Sequence, residues 1–424
     1  MRRINIVQNI ALNAYWIGLS IKWNSIHILI LPAILLAYVP EGLKSTYLGI
    51  LTFTGMIIAM VVQPVAGAIS DGWQSRWGRR RPMIILGTLC EFIFLAFLGW
   101  AGGLLWLIIG YLGLQFASNV AHGPAQGLMP DIVPQDQLGF ASGVKNLMDM
   151  VGVIIASQLM GITMKPGDSR AILPILLVAA VVALGTAVTA LSTKEEPTNR
   201  KVKAPSLHTR LSTLRQTFHI DFRGNTSYWW LISSRFFCLL GINGIQGFAQ
   251  YYVRDVFQSA NPVKLTGDLL AAITLPLILF VVLGGSWGDR YGHRKLLAAS
   301  GMISSVGCVL LFAARTPALL LVFGSVLGSG VGLFLTSNWT LANQLAPAKE
   351  AGKYLGLTNI ATAGSGALSR LTGPIIDLLN NLSPGDFFGY LFLFGSGAVF
   401  TLLSISLLLK VRKLPVEPAP AVIS

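Results

Sequence analysis

Long apolar runs alternate with short polar segments along nearly the whole chain. Twelve of these runs are about 20 residues long or longer, which is enough to cross the ~30 Å hydrocarbon core of a bilayer. Because lipid offers the backbone no hydrogen-bond partner, each run is predicted to be a helix. The predicted spans are 11–38, 45–70, 83–101, 104–129, 138–163, 171–191, 228–252, 267–287, 295–313, 317–345, 353–379 and 387–409.

One polar stretch is much longer than the others and divides the twelve spans into two groups of six. It covers 192–227 and is rich in basic residues, so we interpret it as a cytoplasmic linker. The sequence therefore predicts an all-α polytopic membrane protein made of two pseudo-symmetric six-helix bundles. The N-terminal bundle covers 1–191, and the C-terminal bundle with a short cytoplasmic tail covers 228–424.

The two groups of six carry matching motifs at matching places. Between the second and third helices, Gly67-x3-Asp71…Arg76-Trp77-Gly78-Arg79-Arg80 matches Gly285-x3-Asp289-Arg290-Tyr291-Gly292-His293-Arg294. Before the fifth helix, Pro134, Gly139, Gly143 and Asn146 match Pro347, Gly352, Gly356 and Asn359. Two matches in register indicate a duplication. Parallel six-helix repeats are an architecture of transporters that hold substrate between the halves.

The charge pattern gives the expected orientation. The chain is 53% hydrophobic and only 11% charged, yet its formal net charge is +14. Of the 31 lysines and arginines, 21 fall in segments on the side of the N-terminus and six on the opposite side. The positive-inside rule then predicts that both termini are cytoplasmic, in a plasma membrane such as a bacterial inner membrane. This placement argues against a nucleic-acid-binding surface.

Other function classes lack their sequence signals. There is no phosphate-binding G-x4-G-K-[ST] loop, no nucleophile elbow and no H-E-x-x-H motif. The three cysteines, Cys90, Cys238 and Cys308, all lie in apolar spans without metal-ligand spacing. We therefore expect neither an enzyme nor a cofactor nor a metal site, and we expect a monomer in the lipid bilayer.

Taken together, these motifs resemble the major facilitator superfamily over essentially the whole chain. The longer form Ser70-Asp71-x3-Ser75-Arg76-x-Gly78-Arg79-Arg80-Arg81-Pro82 is similar to the sucrose transporters, within or near the glycoside–pentoside–hexuronide cation symporters. Two further features are similar to theirs, namely Asn119-x3-Gly123-Pro124-Ala125…Asp131 and the Trp23-x8-Pro32 spacing. One departure is that Ala125-Gln126 stands where those transporters have an arginine, which puts sucrose itself in doubt.

The resemblance implies a gating role for the repeated motif. In the family the acid, here Asp71, packs near the cytoplasmic start of helix 11, around Gly352. The arginines would then pair across the cytoplasmic seam and close the inner mouth. The alternative is a positive-inside anchor without a gating role. The candidate gating residues are Gly67, Asp71, Arg76, Gly78, Arg79, Arg80, Asp289, Arg290 and Arg294.

Ionisable residues at membrane depth are costly and are therefore functional candidates. Lys22 and Asp149 both fall near mid-bilayer, and we predict that they face each other, with Lys145 as a competing partner of Asp149. Glu91 is a third candidate for proton coupling, although a structural glutamate is the other interpretation. The coupling ion is expected to be a proton, with sodium as the alternative. Arg235 and Arg370 are each candidates for a substrate clamp or for a structural partner, and we expect the structural role for both.

Polar side chains at offsets 0, +3 and +7 form one narrow face on each of three helices. The resemblance implies that helices 1, 4, 7 and 10 line the pathway, so these faces are candidates for binding a polyhydroxyl solute, with polar contacts between helices as the alternative. With two residues of helix 1, the candidates are Asn24, His27, Asn119, His122, Gln126, Asn243, Gln246, Gln250, Trp339 and Asn343, and Thr336 completes the third face.

The resulting hypothesis is a secondary active transporter that moves a small polar solute, a sugar or glycoside, together with protons by alternating access. A proton-driven exporter of amphipathic compounds is the alternative among transporters. A non-transporting membrane sensor or scaffold is the alternative outside them.

Overall fold

The computed structural model describes residues 3–73, 75–165, 167–168, 170–193, 195, 225–347 and 351–411. Most of the predicted linker 192–227 and of the cytoplasmic tail lies outside these residues. The described part is helical throughout and contains no strand. Its long helices are α1 (Ile6–Leu35), α2 (Lys44–Asp71), α3 (Arg81–Gly99), α4 (Leu104–Ile132), α5 (Leu138–Thr163), α6 (Ile172–Ser192), α7 (Thr226–Phe257), α8 (Pro262–Tyr291), α9 (His293–Ala313), α10 (Pro317–Leu345), α11 (Ala351–Ser369 and Thr372–Leu382) and α12 (Phe388–Leu408).

These helices correspond one to one with the twelve predicted spans. Ten of them are long and apolar enough to cross a membrane by length and composition. The other two are α7, which carries Asn243, Gln246 and Gln250, and α11, which is interrupted. The prediction of an all-α protein with two six-helix bundles is therefore confirmed.

Helix starts follow ordinary capping rules. Asn5 and Gln8 form a capping box at α1, and the Asn225, Asn261 and Thr316 side chains accept backbone N–H groups at α7, α8 and α10. Such caps satisfy donors that the first helical turn leaves unpaired. At these four helices, polar residues between the apolar runs therefore fix where the helix begins, whereas starts such as those of α2 to α6 have no side-chain cap.

Two membrane helices are irregular at mid-depth. Helix α1 has a π-helical turn at Ser25–Ile30, and α11 breaks between Ser369 and Thr372. Such interruptions in membrane helices are tolerated where they are buried in protein or line a cavity, and π turns are frequent at functional sites. Both irregularities lie where the two bundles face each other, which draws attention to this region.

The bundles are joined at one end of the molecule, which we call the far end. It is the end opposite the hairpins that hold Asp71–Arg81 and Asp289–Arg294, which we call the motif end. At the far end Arg254 donates to Glu41 over 2.9 and 3.0 Å. The buried Lys44 pairs there with Asp255 at 2.6 Å and also with Glu41.

Backbone groups strengthen the far-end closure. Asp377 on α11 accepts the N–H groups of Ser45 and Thr46 at 3.2 and 2.6 Å, at the start of α2. Helices α5 and α8 meet closely, because a Cβ on Gly267 would lie 2.5 Å from the carbonyl oxygen of Ser157. The far end is therefore closed by both charge pairs and close helix packing.

The motif end lacks comparable links. Arg79 and Arg80 bond to Asp131, Arg80 also bonds to Asp71, and all four residues belong to the N-terminal bundle. In the C-terminal bundle Asp289 at the end of α8 pairs with His293 at the start of α9. Among the described residues, the partners of these groups therefore stay within one bundle, in contrast to the far end.

Candidate transport site

A cavity of about 380 Å³ lies between the bundles near mid-depth. Three of the predicted ligand-binding residues are in its wall, namely Asn24, Asn243 and Gln246. Asp149 and Ser20 add two more polar groups from the N-terminal bundle. Most of the remaining wall is apolar and belongs to the C-terminal bundle: Leu269, Leu270, Ile273, Leu277, Leu311, Leu327, Val331 and Phe394 among others.

Lys22 does not face Asp149, so the predicted pairing is wrong. Its Nζ donates to Glu91 Oε2 at 2.6 Å and to Ser118 Oγ at 2.5 Å. Both charged side chains are sealed, with exposures of 1% and 0%. The reason is geometric: Lys22 lies on the face of α1 that packs against α3 and α4, whereas Asn24 on the same helix faces the cavity.

Asp149 lies in the cavity wall without a close ionic partner among the described residues. Its backbone carbonyl accepts the Ser20 hydroxyl at 2.6 Å, which fixes α5 against α1. Lys145, one turn earlier, places its Nζ over the Trp16 ring, 3.8 Å from the ring centroid, and forms no ion pair with Asp149. The Asp149 carboxyl therefore borders the cavity, whereas the Glu91 carboxyl is sealed away from it.

His27 belongs to a polar cluster that the sequence revealed only in part. Its Nε2 lies 2.9 Å from Tyr111 Oη and 3.0 Å from Gln115 Nε2, and its ring stacks on Trp23 at 4.7 Å. If the tyrosine hydroxyl donates to Nε2, the imidazole proton is on Nδ1, which becomes a free donor. Tyr111 and Gln115 were missed, although with Asn119 they continue one face of α4 at a spacing of four.

The other predicted binding residues do not line this cavity, which corrects the expectation of continuous polar faces. Asn119 is buried and donates to the Gln115 carbonyl at 2.8 Å. Gln250, with its amide nitrogen turned toward α1, donates to the carbonyls of Ile28 and Leu29 at 2.7 and 2.9 Å. That contact satisfies the π-helical turn, so Gln250 joins two helices.

On α4 and α10, the predicted binding residues nearest the C-terminal end of each helix lie closer to the motif end. Gln126 is exposed and lies 3.3 Å from His122, whose ring packs edge-on against Trp16. Trp339 and Asn343 are exposed, and Asn343 donates to the Trp339 carbonyl at 2.9 Å. Thr336 faces α8 instead, where it donates to the Val281 carbonyl. One narrow face of a long helix therefore passes through several environments.

Arg235 has the structural role that we expected. Its guanidinium donates to Thr362 and Asn338, each at 2.9 Å. Each bundle thus buries one cation in its first helix and satisfies it with groups from its own later helices. Arg370 is also buried, but its Nε and Nη1 atoms have no hydrogen-bond partner among the described residues.

The arginine motif forms a network within the N-terminal bundle. Arg79 donates to both carboxyl oxygens of Asp131 at 3.1 and 2.5 Å, and this hydrogen bond raises the pKa of Arg79. Arg80 joins Asp131 at 2.9 Å and Asp71 at 2.6 Å. Glu195 accepts the backbone N–H groups of Arg80 and Arg81 at the start of α3. Burial raises the pKa of Glu195, although those N–H groups oppose the shift.

Backbone geometry explains why the motif contains glycine at several positions. Gly78 has φ +93°, and its C-terminal counterpart Gly292 has φ +91°, a region that residues with a side chain rarely adopt. The close approach of α2 and α4 requires glycine at Gly123, where a Cβ would lie 2.2 Å from the Gln63 carbonyl oxygen, whereas a Cβ on the facing Gly67 would come no nearer than 3.6 Å to Gly123. The duplicated motif therefore preserves a turn as well as charge.

The described partner of Asp71 is in its own bundle, and the predicted seam partner lies outside the described side chains. Its side chain is 52% exposed and pairs with Arg80. Arg76 lies over Trp77, Arg290 over Tyr291, and Arg294 donates to the Leu409 carbonyl, all within their own halves. The side chains at 351–353, where the partner was expected, lie outside the description. Gating by these residues stays a prediction for a state in which the motif end is closed.

Comparison with known proteins identifies the family. The family model for "MFS/sugar transport protein" matches residues 17–370. The chain belongs to this family. Members of the family and the solved structures it resembles are transporters, so the chain is a multi-pass membrane transporter and not an enzyme.

Sequence relatives include sugar carriers and one efflux pump. The sucrose transport protein SUC3 of Arabidopsis thaliana is 29% identical over 27% of this chain, and the match spans 23% of the length of that protein. The multi-drug resistance efflux pump PmrA of Streptococcus pneumoniae is 22% identical over 78% of this chain and 79% of its own length. This chain thus aligns with only about a quarter of the sucrose carrier.

Solved structures agree on the fold. A D-xylose-proton symporter superposes with a TM-score of 0.73 over 96% of this chain and 98% of its own, at 14% identity. The nucleoside transporter NupG superposes with a TM-score of 0.71 over 96% of this chain and 100% of its own. At such low identity these likenesses concern the fold alone.

Proposed function

We propose that the protein is a secondary active transporter that moves a sugar or glycoside together with a proton by alternating access. Its substrate binds between the two bundles, and rocking of the bundles exposes the site to each side of the membrane in turn. The sucrose transport proteins among its relatives support a sugar as substrate.

The observation that carries this proposal is a cavity between the two bundles, which ion pairs join at the far end. Amide groups of Asn24, Asn243 and Gln246 line the cavity, and such groups supply the paired donors and acceptors that hydroxyl groups require. The Trp23 ring, stacked on His27 nearby, offers a flat surface for the apolar face of a sugar ring.

Orientation follows from charge. The arginine-rich motif end belongs on the cytoplasmic side by the positive-inside rule. In that orientation both termini are cytoplasmic, the membrane is the plasma membrane, and the cavity described here opens inward. Closure of the far end by Arg254, Glu41, Lys44 and Asp255 is then the outer gate.

Proton coupling is assigned to Asp149. Its carboxyl lies in the cavity wall, where it meets water in the open state and substrate when occupied. Lys22 and Glu91 are enclosed and paired, so they serve as a structural pair behind the site. A single exchanging acid at the cavity is the simplest arrangement that links proton entry to substrate binding.

Transport in liposomes tests the proposal. Purified protein would be given an inward proton gradient and a panel of radiolabelled mono- and disaccharides and glycosides. At least one should accumulate above its external concentration, and collapse of the gradient by an ionophore should abolish accumulation. Gln246→Ala should raise KM because Gln246 lines the cavity, whereas Gln126→Ala, outside the wall, serves as the matched control. Failure of every sugar to accumulate would refute a sugar symporter.

An exporter of amphipathic compounds is the second candidate, and a specific observation favours it. The cavity wall on the C-terminal side is largely apolar, and one relative that aligns over 78% of the chain is a multi-drug efflux pump. Proton-driven efflux of hydrophobic dyes from the same liposomes, in the absence of sugar uptake, would select this candidate.

A further inference from the structure

Two pairs of side chains face each other where α1 packs against α5. Trp16 and Ser20 are four residues apart on α1, and they meet a pair with the same spacing on α5, namely Lys145 and Asp149. The Lys145 Nζ lies 3.8 Å from the centroid of the Trp16 ring. The Ser20 hydroxyl donates to the Asp149 carbonyl at 2.6 Å. Because residues four apart share one face of a helix, both contacts belong to a single contact surface.

The Trp16 ring is held in place, whereas the Lys145 side chain can move. Trp16 is only 6% exposed, and its ring meets those of Tyr15 and His122 edge-on, with 5.9 and 5.3 Å between centroids. The Lys145 side chain is half-buried, and its ammonium stands on a flexible four-carbon stem. The ring is therefore a fixed site that the Lys145 ammonium can occupy or leave.

The Asp149 carboxyl is the second site within reach of this ammonium. Side chains four residues apart on a helix have Cβ atoms about 5–6 Å from each other, so rotation of the Lys145 side chain alone can bring the two groups together. They are already within electrostatic range. A carboxylate attracts an ammonium more strongly than an aromatic face does, whereas a protonated carboxyl is neutral and does not compete. The contact with Trp16 therefore fits an Asp149 that carries its proton.

Lys145 lies between Asp149 and the motif end. Helix α5 begins at Leu138, shortly after Asp131, the acid that binds the arginines of the motif end. Four residues at 1.5 Å each place Lys145 about 6 Å nearer that end than Asp149. On the other side of Asp149, Val153 lines the cavity. A proton that leaves Asp149 for the motif end therefore passes Lys145.

The other ionisable groups around this pair have contacts of their own. Lys22 of α1 and Glu91 of α3 are sealed against each other. His122 of α4 has its Nε2 3.3 Å from an amide group of its own helix. The C-terminal bundle contributes Tyr252 to the cavity wall, and its hydroxyl donates to a carbonyl of α9 at 2.8 Å. Within the part of the chain that the structure describes, Lys145 is thus the cation placed to balance the carboxylate in the cavity wall.

We propose that Lys145 is a positioning residue for proton coupling, whose ammonium moves from the Trp16 ring to the Asp149 carboxylate and so drives proton release toward the motif end. In this step the O–H bond of the Asp149 carboxyl breaks and its proton passes to water. The ammonium keeps its three protons and neutralises the carboxylate that remains. When Asp149 takes up a new proton, the ammonium returns to the ring. This inference rests on the proposed function, because that function assigns proton coupling to Asp149 and the cytoplasmic side to the motif end.

Infrared titration of the purified protein tests the inference without a substrate. The carbonyl stretch of protonated Asp149, identified by its loss in Asp149→Asn, gives the pH at which half of this carboxyl is protonated. Lys145→Met should raise this midpoint by about one to three pH units, the effect of losing a cation within about 4–6 Å. Lys145→Arg should keep most of the parental midpoint, because it keeps the charge.

Trp16→Leu should shift the midpoint in the opposite direction. Without the ring the ammonium stays at Asp149, so the carboxylate is favoured and the midpoint should fall. A contact that served only to hold α1 against α5 would give shifts of the same sign in Lys145→Met and Trp16→Leu. Lys295→Met is the matched control: it removes an exposed lysine near the start of α9, at the motif end of the other bundle, and should leave the midpoint unchanged.

Uptake in liposomes then tests the consequence for transport. The sugar that accumulates in the panel described above is supplied at fixed external pH, and the internal pH is varied. At neutral internal pH, Lys145→Met should lose uphill uptake about ten-fold or more, since each pH unit corresponds to a ten-fold change in proton affinity. An alkaline interior should restore this uptake, and substrate exchange should stay at the parental rate because it requires no net release of a proton.

The outcomes separate this inference from the proposed function. An unchanged midpoint in Lys145→Met, or shifts of the same sign in Lys145→Met and Trp16→Leu, would overturn the inference whether or not a sugar is transported. If a sugar accumulates while the midpoint ignores Lys145, symport stands and the role of Lys145 is refuted. If the midpoints shift in opposite directions but no sugar accumulates, the exchange of partners by Lys145 stands and sugar symport is refuted.

Discussion

Separating the charges of Lys22 and Glu91 should destabilise the N-terminal bundle strongly. At the observed 2.6 Å the pair gains about 6 kcal/mol of Coulomb energy with an effective dielectric constant near 20. Desolvation offsets much of this gain, but removing one partner leaves the other charged and sealed at essentially zero exposure. Single replacements such as Lys22→Met or Glu91→Leu should therefore cost about 3–5 kcal/mol.

The double variant Lys22→Met/Glu91→Leu should recover most of this loss, because no uncompensated charge remains. Reversible unfolding in mixed micelles, titrated with sodium dodecyl sulfate, would give all four free energies of a double-mutant cycle. We expect a coupling energy of about 2 kcal/mol or more. A stable Glu91→Leu single variant, or a cycle without coupling, would refute the pairing as a structural element. If the double variant still accumulates substrate against its gradient, the pair is not the proton carrier.

Three further substitutions test other parts of the account. Asp149→Asn should abolish uphill uptake while sparing substrate exchange, because the neutral amide cannot release a proton. Asp136→Asn, whose side chain is 53% exposed and lies outside the cavity and the motif, should leave both unchanged. If Asp149→Asn accumulates substrate to the level of the parent protein, Asp149 is not the proton-coupling residue. Gly78→Ala should destabilise the protein by about 1–2 kcal/mol or more in thermal unfolding, since φ is +93° and the new Cβ would lie 1.9 Å from Glu195 Oε2. Gly139→Ala, with open space around it, is the control, and equal stability of the two variants would contradict the assigned turn. Lys44→Met should weaken the far-end closure, so that a membrane-impermeant thiol reagent applied at that side labels Ala249→Cys faster. Lys264→Met, which removes only a pair with Asp268 inside α8, should not have this effect, and equal rates in both backgrounds would count against the gate.

The fold was accessible from sequence because lipid removes most alternatives. Apolar runs of bilayer length must be helices, and the duplicated Gly-x3-Asp motif revealed the two halves before any contact was known. Gly78 and Gly292 occupy matching places in the two motif copies, and their positive φ explains why both copies hold glycine there.

Side-chain partners were harder to predict from the sequence, because they depend on the direction in which each side chain points around its helix axis. Lys22 and Asn24 are two residues apart on α1 and point in different directions, so depth in the membrane could not decide whether Lys22 meets Asp149 or Glu91. The same applies to Gln250, whose place on the polar face of α7 suggested the cavity but whose amide satisfies the π-helical turn of α1. Neither the π-helical turn of α1 nor the break in α11 at Arg370 corresponds to a recognisable sequence pattern.

The most direct test of alternating access is a pair of distances measured across the two ends of the seam. After replacement of the three native cysteines by alanine, spin labels would be placed at Phe140 and Tyr291 for the motif end, and at Leu105 and Leu319 for the far end. All four side chains are exposed. In lipid nanodiscs, double electron–electron resonance should show that a transported substrate with acidic pH shortens the Phe140–Tyr291 distance and lengthens the Leu105–Leu319 distance. Two distances that stay fixed, or that change in the same direction, in a variant that still transports would contradict rocking of the bundles around a central site.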